Sequence, residues 1–183
     1  MPRQDLLLDA IQSRAARVAV GASTVRGAGN KGVAAACREF LAQMDLRPFG
    51  TNSRARFGQA LDEQTEALRL ALPYRVRKWG LARKVLNIFL RDSLYTSYLA
   101  DAYRLSRAEH LMELPLDSIT VKALKAEGER GALPRWSGVK ALTPSDSQIY
   151  QAAAAEWAAA RGYARVHLDS IWWSLGRDEE HAP

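Results

Sequence analysis

Apolar residues recur at helical spacing along most of this chain, and nowhere do they alternate with polar ones for long enough to suggest a strand. From Asp5 to Val20, the residues Leu7, Ala10, Ile11 and Val18 mark one apolar stripe. Val33, Cys37, Phe40, Leu41 and Met44 mark a second, which Arg47-Pro48-Phe49-Gly50 breaks. A third helix is predicted from Phe57 to Leu72, with Pro73 closing it. The fourth runs from Gly80 to Leu105 on Leu81, Val85, Ile88, Phe89 and Leu99.

A turn over Glu109 to Leu114 leads to Pro115-Leu116-Asp117-Ser118, a helix start in which Asp117 is placed to cap Ile119 to Glu127. Gly128 to Pro144, which includes Trp136, reads as a long loop. An alanine-rich helix follows from Ser145 to Arg161, ended by Gly162, and His167 to Leu175 forms the last. The expected fold is all-α: one compact helical domain over residues 1–177, with a polar tail from Asp178 to Pro183.

Composition agrees with a chain that buries a core. Of 183 residues, 48 % are hydrophobic and 25 % charged, which argues against disorder. No apolar run is long enough for a membrane span. Asp9 and Arg14 interrupt the apolar start, so no secretion signal is expected. Cys37 is the only cysteine, which excludes an intrachain disulfide and a cysteine zinc site. A cytoplasmic, nucleoid-associated location is the expectation.

Charge narrows the function further. Lys+Arg is 26 against Asp+Glu 20, a net +6, and most of the cations are arginine. Guanidinium binds phosphate with a fork of donors, so DNA is a natural partner; arginine-rich composition alone is the plainer explanation. Tyr74 to Arg91 is the densest positive stretch, with Arg75, Arg77, Lys78, Arg83, Lys84 and Arg91. It spans the helix start at Gly80, where free amides favour phosphate.

Within that stretch Lys84 stands apart. Its helical neighbours Leu81 and Ile88 are apolar, so it sits at the edge of the buried stripe, where a lysine amine can act as a nucleophile. Gly27 to Gly32 matches G-x-G-x-x-G, but without a preceding strand a dinucleotide site is rejected. That loop remains either a connector or, with Arg26 and Lys31, an anion or base contact. Trp136, Trp172 or Trp173 could stack on a base, although the two adjacent tryptophans cannot both face one way. His167 and Asp169 are further polar candidates, and the isolated histidines predict no metal.

Gly80-Leu81-Ala82-Arg83-Lys84-Val85-Leu86-Asn87 resembles the G-V-G-R-K-T-A-N element of helix-hairpin-helix DNA glycosylases. Leu116-Asp117-Ser118-Ile119-Thr120-Val121-Lys122 resembles their V-D-T-H-V-x-R element. The interval of 33 residues between Lys84 and Asp117, and the ending His167-Leu168-Asp169-Ser170-Ile171-Trp172-Trp173, look most like the archaeal 8-oxoguanine glycosylase branch. Ala82 stands where the pattern has its second glycine, and Trp79 replaces the usual proline-glycine approach.

The resemblance implies a helix-hairpin-helix-like element and a DNA glycosylase/AP lyase without cofactor, acting as a monomer on duplex DNA with an oxidised or modified base. It implies Lys84 as Schiff-base nucleophile and Asp117 as the transition-state carboxylate. Arg75, Arg77, Lys78, Gly80 and Arg83 are expected at the DNA, and Arg26, Trp136, His167, Asp169 and Trp172 at the base. Two alternatives stay open: a non-catalytic helical DNA-binding module on the same scaffold, and a helical interaction protein with an incidentally basic face.

Overall fold

Among the described residues eight α-helices succeed one another: α1 (Arg3–Ala19), α2 (Val33–Gln43), α3 (Arg54–Ala71), α4 (Trp79–Tyr95), α5 (Ser97–Tyr103), α6 (Ser118–Glu127), α7 (Pro144–Ala159) and α8 (Leu168–Glu180). Short 3-10 turns join them at Arg47–Phe49, Tyr74–Val76, Leu105–Leu111, Val139–Ala141 and Arg165–His167. This is a computed structural model, and it describes residues 3–21, 24–25, 32–128 and 131–180. No strand occurs among them, so the all-α expectation holds. No helix among them is long and apolar enough to cross a membrane.

Two apolar clusters organise the chain. The first gathers residues of α1 to α5, including Cys37, Leu41, Phe49, Phe57, Leu68 and Phe89. The second gathers α6 to α8 around Leu116, Leu124, Tyr150, Ala154, Leu168 and Trp172. Helix α4 runs between them, and every residue from Gly80 to Leu90 is buried. A helix buried all round usually carries few polar residues, yet α4 carries Arg83, Lys84 and Asn87.

Buried side chains satisfy backbone groups where helices end. The Gln12 amide donates to the Leu41 and Met44 carbonyls, closing the end of α2. Gln151 of α7 accepts from the Leu114 N–H and donates to its carbonyl at 2.9 and 2.7 Å, as a neighbouring strand would. Arg165 donates to the Leu111, Met112 and Gln151 carbonyls.

Two boundaries differ from the periodicity. The apolar stripe suggested one helix from Gly80 to Leu105, but the chain breaks at Thr96, which is extended (φ −94°, ψ 104°). The Thr96 hydroxyl donates back to the Asp92 carbonyl, and its own carbonyl starts α5 by accepting from Leu99 and Ala100. Helix α8 continues to Glu180, past the expected tail start at Asp178.

Gly80 has a packing reason to be glycine. A Cβ there would lie 2.2 Å from the Val139 carbonyl oxygen and 2.8 Å from Leu142 Cβ. The 139–142 segment therefore closes over the first turn of α4. Helix propensity favours alanine by about 1 kcal/mol, but overpacking against backbone costs about 1–3 kcal/mol. Gly80→Ala is thus expected to lower stability, and a midpoint shift in urea unfolding checks the sign.

Arg83 and Glu113 form the buried ion pair that ties α4 to the segment before α6. The guanidinium donates to both Glu113 oxygens at 2.8 and 2.9 Å, and to Asp62 and Thr65 of α3. Asn87 donates a further bond to Glu113. Burial pushes the Glu113 carboxyl up, but the Arg83 hydrogen bonds and charge outweigh it and hold the group below its ordinary value of 4.5.

Glu113 therefore binds its proton more weakly folded than unfolded. The stability it contributes is present above pH 4.5 and is lost as pH falls below that value toward the lower folded one. Glu113→Gln is expected to flatten this acid limb and to cost about 3 kcal/mol near neutrality, because Arg83 loses its buried counter-ion and keeps only the exposed Asp62 carboxylate. Urea unfolding across the acid range checks both effects.

Candidate functional site

Lys84 sits on α4 where the helix faces the second cluster, and only 8 % of it is exposed. A lysine buried to this degree needs a partner. It finds one in Asp117, whose Oδ2 lies 3.2 Å from Lys84 Nζ. Asp117 reaches that place because it caps α6. Its backbone is extended, and its Oδ1 accepts from the Ile119 and Thr120 N–H groups at 2.9 and 3.0 Å. The Thr120 hydroxyl completes a capping box by accepting from the Asp117 N–H. One carboxylate oxygen thus holds the helix start while the other meets the lysine.

Both side chains line one cleft of about 450 Å³, a size suited to a small ligand. Val18, Ala19 and Thr24 also line it, with Ile88, Arg91 and Asp92 of α4 and Asp169, Ser170, Trp173 and Ser174 of α8. Asp169, in the first turn of α8, is buried and ion-paired with Arg91. Arg91 also pairs with Asp92 at 2.8 Å. Among the described lining residues, Lys84 and Arg91 face Asp92, Asp117 and Asp169. So the cleft is close to charge-balanced although the chain is basic, and it exerts little net pull on an anion.

The other expected site residues fall in several places. Asp169 is in the cleft. Trp172 is 6 % exposed and packs in the second cluster against Trp157, ring centroids 5.3 Å apart. Its neighbour Trp173 is the one that lines the cleft. Trp136 is not at the cleft either; it packs edge-on against Tyr150 at 5.8 Å. His167 precedes α8 and is held between Glu109 Oε1 and the Tyr95 hydroxyl, each 2.9 Å from a ring nitrogen, outside the cleft lining. Arg26, Lys31 and most of the glycine-rich loop lie outside the described residues.

The basic stretch divides in the same way. Arg75, Arg77 and Lys78 are exposed at the turn before α4. Gly80 is covered by the 139–142 segment, and Arg83 is a core ion whose donors all face inward, so neither offers the outward phosphate contact expected of it. Trp79 explains part of this: its ring packs on the second cluster with the Arg83 guanidinium 5.3 Å from its centroid.

Arg91, Asp92 and Ser170 were not singled out as cleft residues from the sequence, and Trp173 was named only as one of three tryptophans that could stack on a base. Helical periodicity carries the signal for two of them. Arg91 lies seven residues, two turns, after Lys84, and Trp173 lies four residues after Asp169, so each shares a face with a residue already chosen. No group of three or more His, Cys, Asp or Glu side chains among the described residues is arranged to hold a metal. In comparison with known proteins, no family model, curated protein or solved structure matches this chain.

Proposed function

We propose that this chain is a DNA glycosylase with AP-lyase activity, acting on an oxidised or modified base of the 8-oxoguanine kind. The observation that carries the reading is the Lys84–Asp117 pair: an amine and a carboxylate 3.2 Å apart, both lining one cleft. The resemblance of the two segments that hold them to glycosylase elements supports it, as does the net charge of +6.

In this reading the target nucleotide leaves the stack and enters the cleft. As the C1′–N bond lengthens, its electron pair moves to the base and positive charge grows on the sugar. The Asp117 carboxylate, oriented by the start of α6, faces that charge. Lys84 Nζ gives one proton to the departing base, and its freed lone pair closes on C1′. Asp117 Oδ2 takes the next proton from the new C1′ amine and gives it to O4′ as the C1′–O4′ bond breaks, so a protonated Schiff base and a ring-opened hydroxyl result. The Asp117 carboxylate then takes a C2′ proton, the C2′–H electrons form a C2′–C3′ double bond, and the C3′–O bond breaks with its electrons leaving on the 3′ phosphate.

Other residues act around this pair. Asp169, fixed by Arg91, offers an acceptor to a base N–H, and Trp173 bounds the space a base fills. Arg75, Arg77 and Lys78 hold phosphates outside the cleft.

Borohydride reduction with oligonucleotides carrying an abasic site or 8-oxoguanine tests this. Wild type is expected to form a covalent adduct, and Lys84→Ala none. No wild-type adduct on either DNA overturns the lyase assignment; if salt-sensitive binding survives, the non-catalytic DNA-binding module takes its place. Asp117→Asn separates the aspartate's two roles, because asparagine caps helices about as well. The variant keeps the cap but leaves Lys84 buried without its counter-ion, so stability is expected to fall by about 3–5 kcal/mol, and base excision by on the order of 10²-fold or more where the variant stays folded. Single-turnover excision and urea unfolding on the same preparation check the pair of outcomes.

A further inference from the structure

Tyr74 is 84 % exposed, the most exposed of the large hydrophobic side chains among the described residues. A ring of this size usually gains stability by burial, and this one is held away from it by a firm turn. Pro73 opens the 3-10 turn Tyr74–Val76, and the Val76 N–H donates to the Pro73 carbonyl at 2.9 Å. Leu72 and Val76, on either side, are anchored in the first cluster. Arg77 braces the turn by donating from Nε to the Leu72 carbonyl at 3.0 Å, and its guanidinium carbon lies 5.8 Å from the Tyr74 ring centroid.

Along the chain, the residues beside the ring carry one sign of charge; across from the turn, Arg69 reaches the Arg77 carbonyl while paired with Glu66. Arg75, Arg77 and Lys78 are exposed beside it, and no acidic residue interrupts Pro73 to Leu90. Lys140 is exposed on the 3-10 turn Val139–Ala141, which closes over Gly80 at the same end of α4. An outward aromatic face ringed by cations is the arrangement by which proteins hold an unstacked nucleotide: the ring stacks on the base and the cations take the phosphates. A fully paired duplex offers no base face to such a ring.

The turn adjoins the helix that carries Lys84. From Lys78 to Lys84 the rise along α4 is about 9 Å at 1.5 Å per residue, so the braced turn and the cleft lie along the same end of one helix. We propose that Tyr74 stacks on an unpaired nucleotide that flanks the one in the cleft. The preferred DNA is then a lesion with a locally opened or single-stranded flank. This inference rests on the DNA glycosylase reading and adds the state of the strand that the enzyme selects.

The test uses the full chain and fluorescein-labelled oligonucleotides, each with one 8-oxoguanine, in a fully paired duplex or with three unpaired nucleotides on one side of the lesion. Anisotropy titrations over a range of salt concentrations give affinity and salt slope. Wild type is expected to bind the opened DNA on the order of tenfold more tightly than the paired one. Tyr74→Ala is expected to abolish that preference without changing the salt slope, and Tyr74→Phe to keep it. Lys78→Gln is expected to lower the slope by about one on both DNAs.

Equal wild-type affinity for the two DNAs overturns the proposal, as does a preference that survives in Tyr74→Ala. Binding of neither DNA by wild type overturns this proposal and the DNA reading beneath it. Wild-type binding without the Tyr74 effect leaves the DNA reading standing and removes only the stacking role. The exposed ring contributes little to the core, so the alanine variant retains its fold, which its unfolding midpoint verifies.

Discussion

A charge taken out of water costs several kcal/mol unless an opposite charge meets it, and α4 carries two cations through the centre of this protein. Arg83 and Lys84 are adjacent, so their side chains leave the helix about 100° apart and need separate partners. Both partners come from one short segment. Glu113 meets Arg83, and Asp117 meets Lys84. Between them, Gln151 grips the Leu114 backbone from the other side. The 113–117 segment is thus fixed by the cations of α4 on one flank and by α7 on the other. The start of α6 and the wall of the cleft follow from that constraint.

The same constraint decides what the cleft can do. Capping and chemistry are often treated as competing explanations for an aspartate at a helix start. Here the two oxygens of Asp117 divide the work: Oδ1 takes the backbone amides and Oδ2 takes Lys84. A carboxylate held this way cannot swing out of reach of the lysine without giving up the cap. Another ion pair, Arg91 with Asp169, lines the same cleft, so two cations of α4 each meet a carboxylate from a later helix start there. With its cations already matched by carboxylates, the interior has little pull on a phosphate. Exposed basic residues outside it retain that pull.

How much of this was legible in the sequence depended on which signal each residue carried. Helices with a regular apolar stripe, such as α2 and α3, were read nearly in place because periodicity and punctuation agree there. Thr96 was missed because an apolar stripe continues across it, and only its hydroxyl bond to the Asp92 carbonyl shows the break. Lys84 and Asp117 were legible, since apolar neighbours mark the first and the helix-start pattern marks the second. Asp169 was legible as polar, but choosing between Trp172 and Trp173 required knowing which face of α8 meets the second cluster, and one helix alone does not fix that. Arg83 was expected at the DNA, and its burial was not legible because nothing local announces a counter-ion 30 residues away. Gly80 was misread for a related reason: the segment that covers it lies about 60 residues downstream in a stretch read as a plain loop.

Gly80 and Trp79 together bear on how the basic stretch can meet DNA. In the pattern that Gly80 to Asn87 resembles, glycines at the hairpin expose backbone amides to phosphate. Here the missing side chain of Gly80 admits the Val139 carbonyl and Leu142, and the Trp79 ring packs on the second cluster beneath Arg83. The first turn of α4 is therefore covered by protein. The exposed positive charge sits one step earlier, on the braced turn with Arg75, Arg77 and Lys78, and with it an aromatic ring that helix amides alone do not supply. In the DNA reading, a contact made only to backbone phosphates in the hairpin pattern becomes, in this chain, a contact that also requires a base face. The strand that satisfies it has to be open at that point.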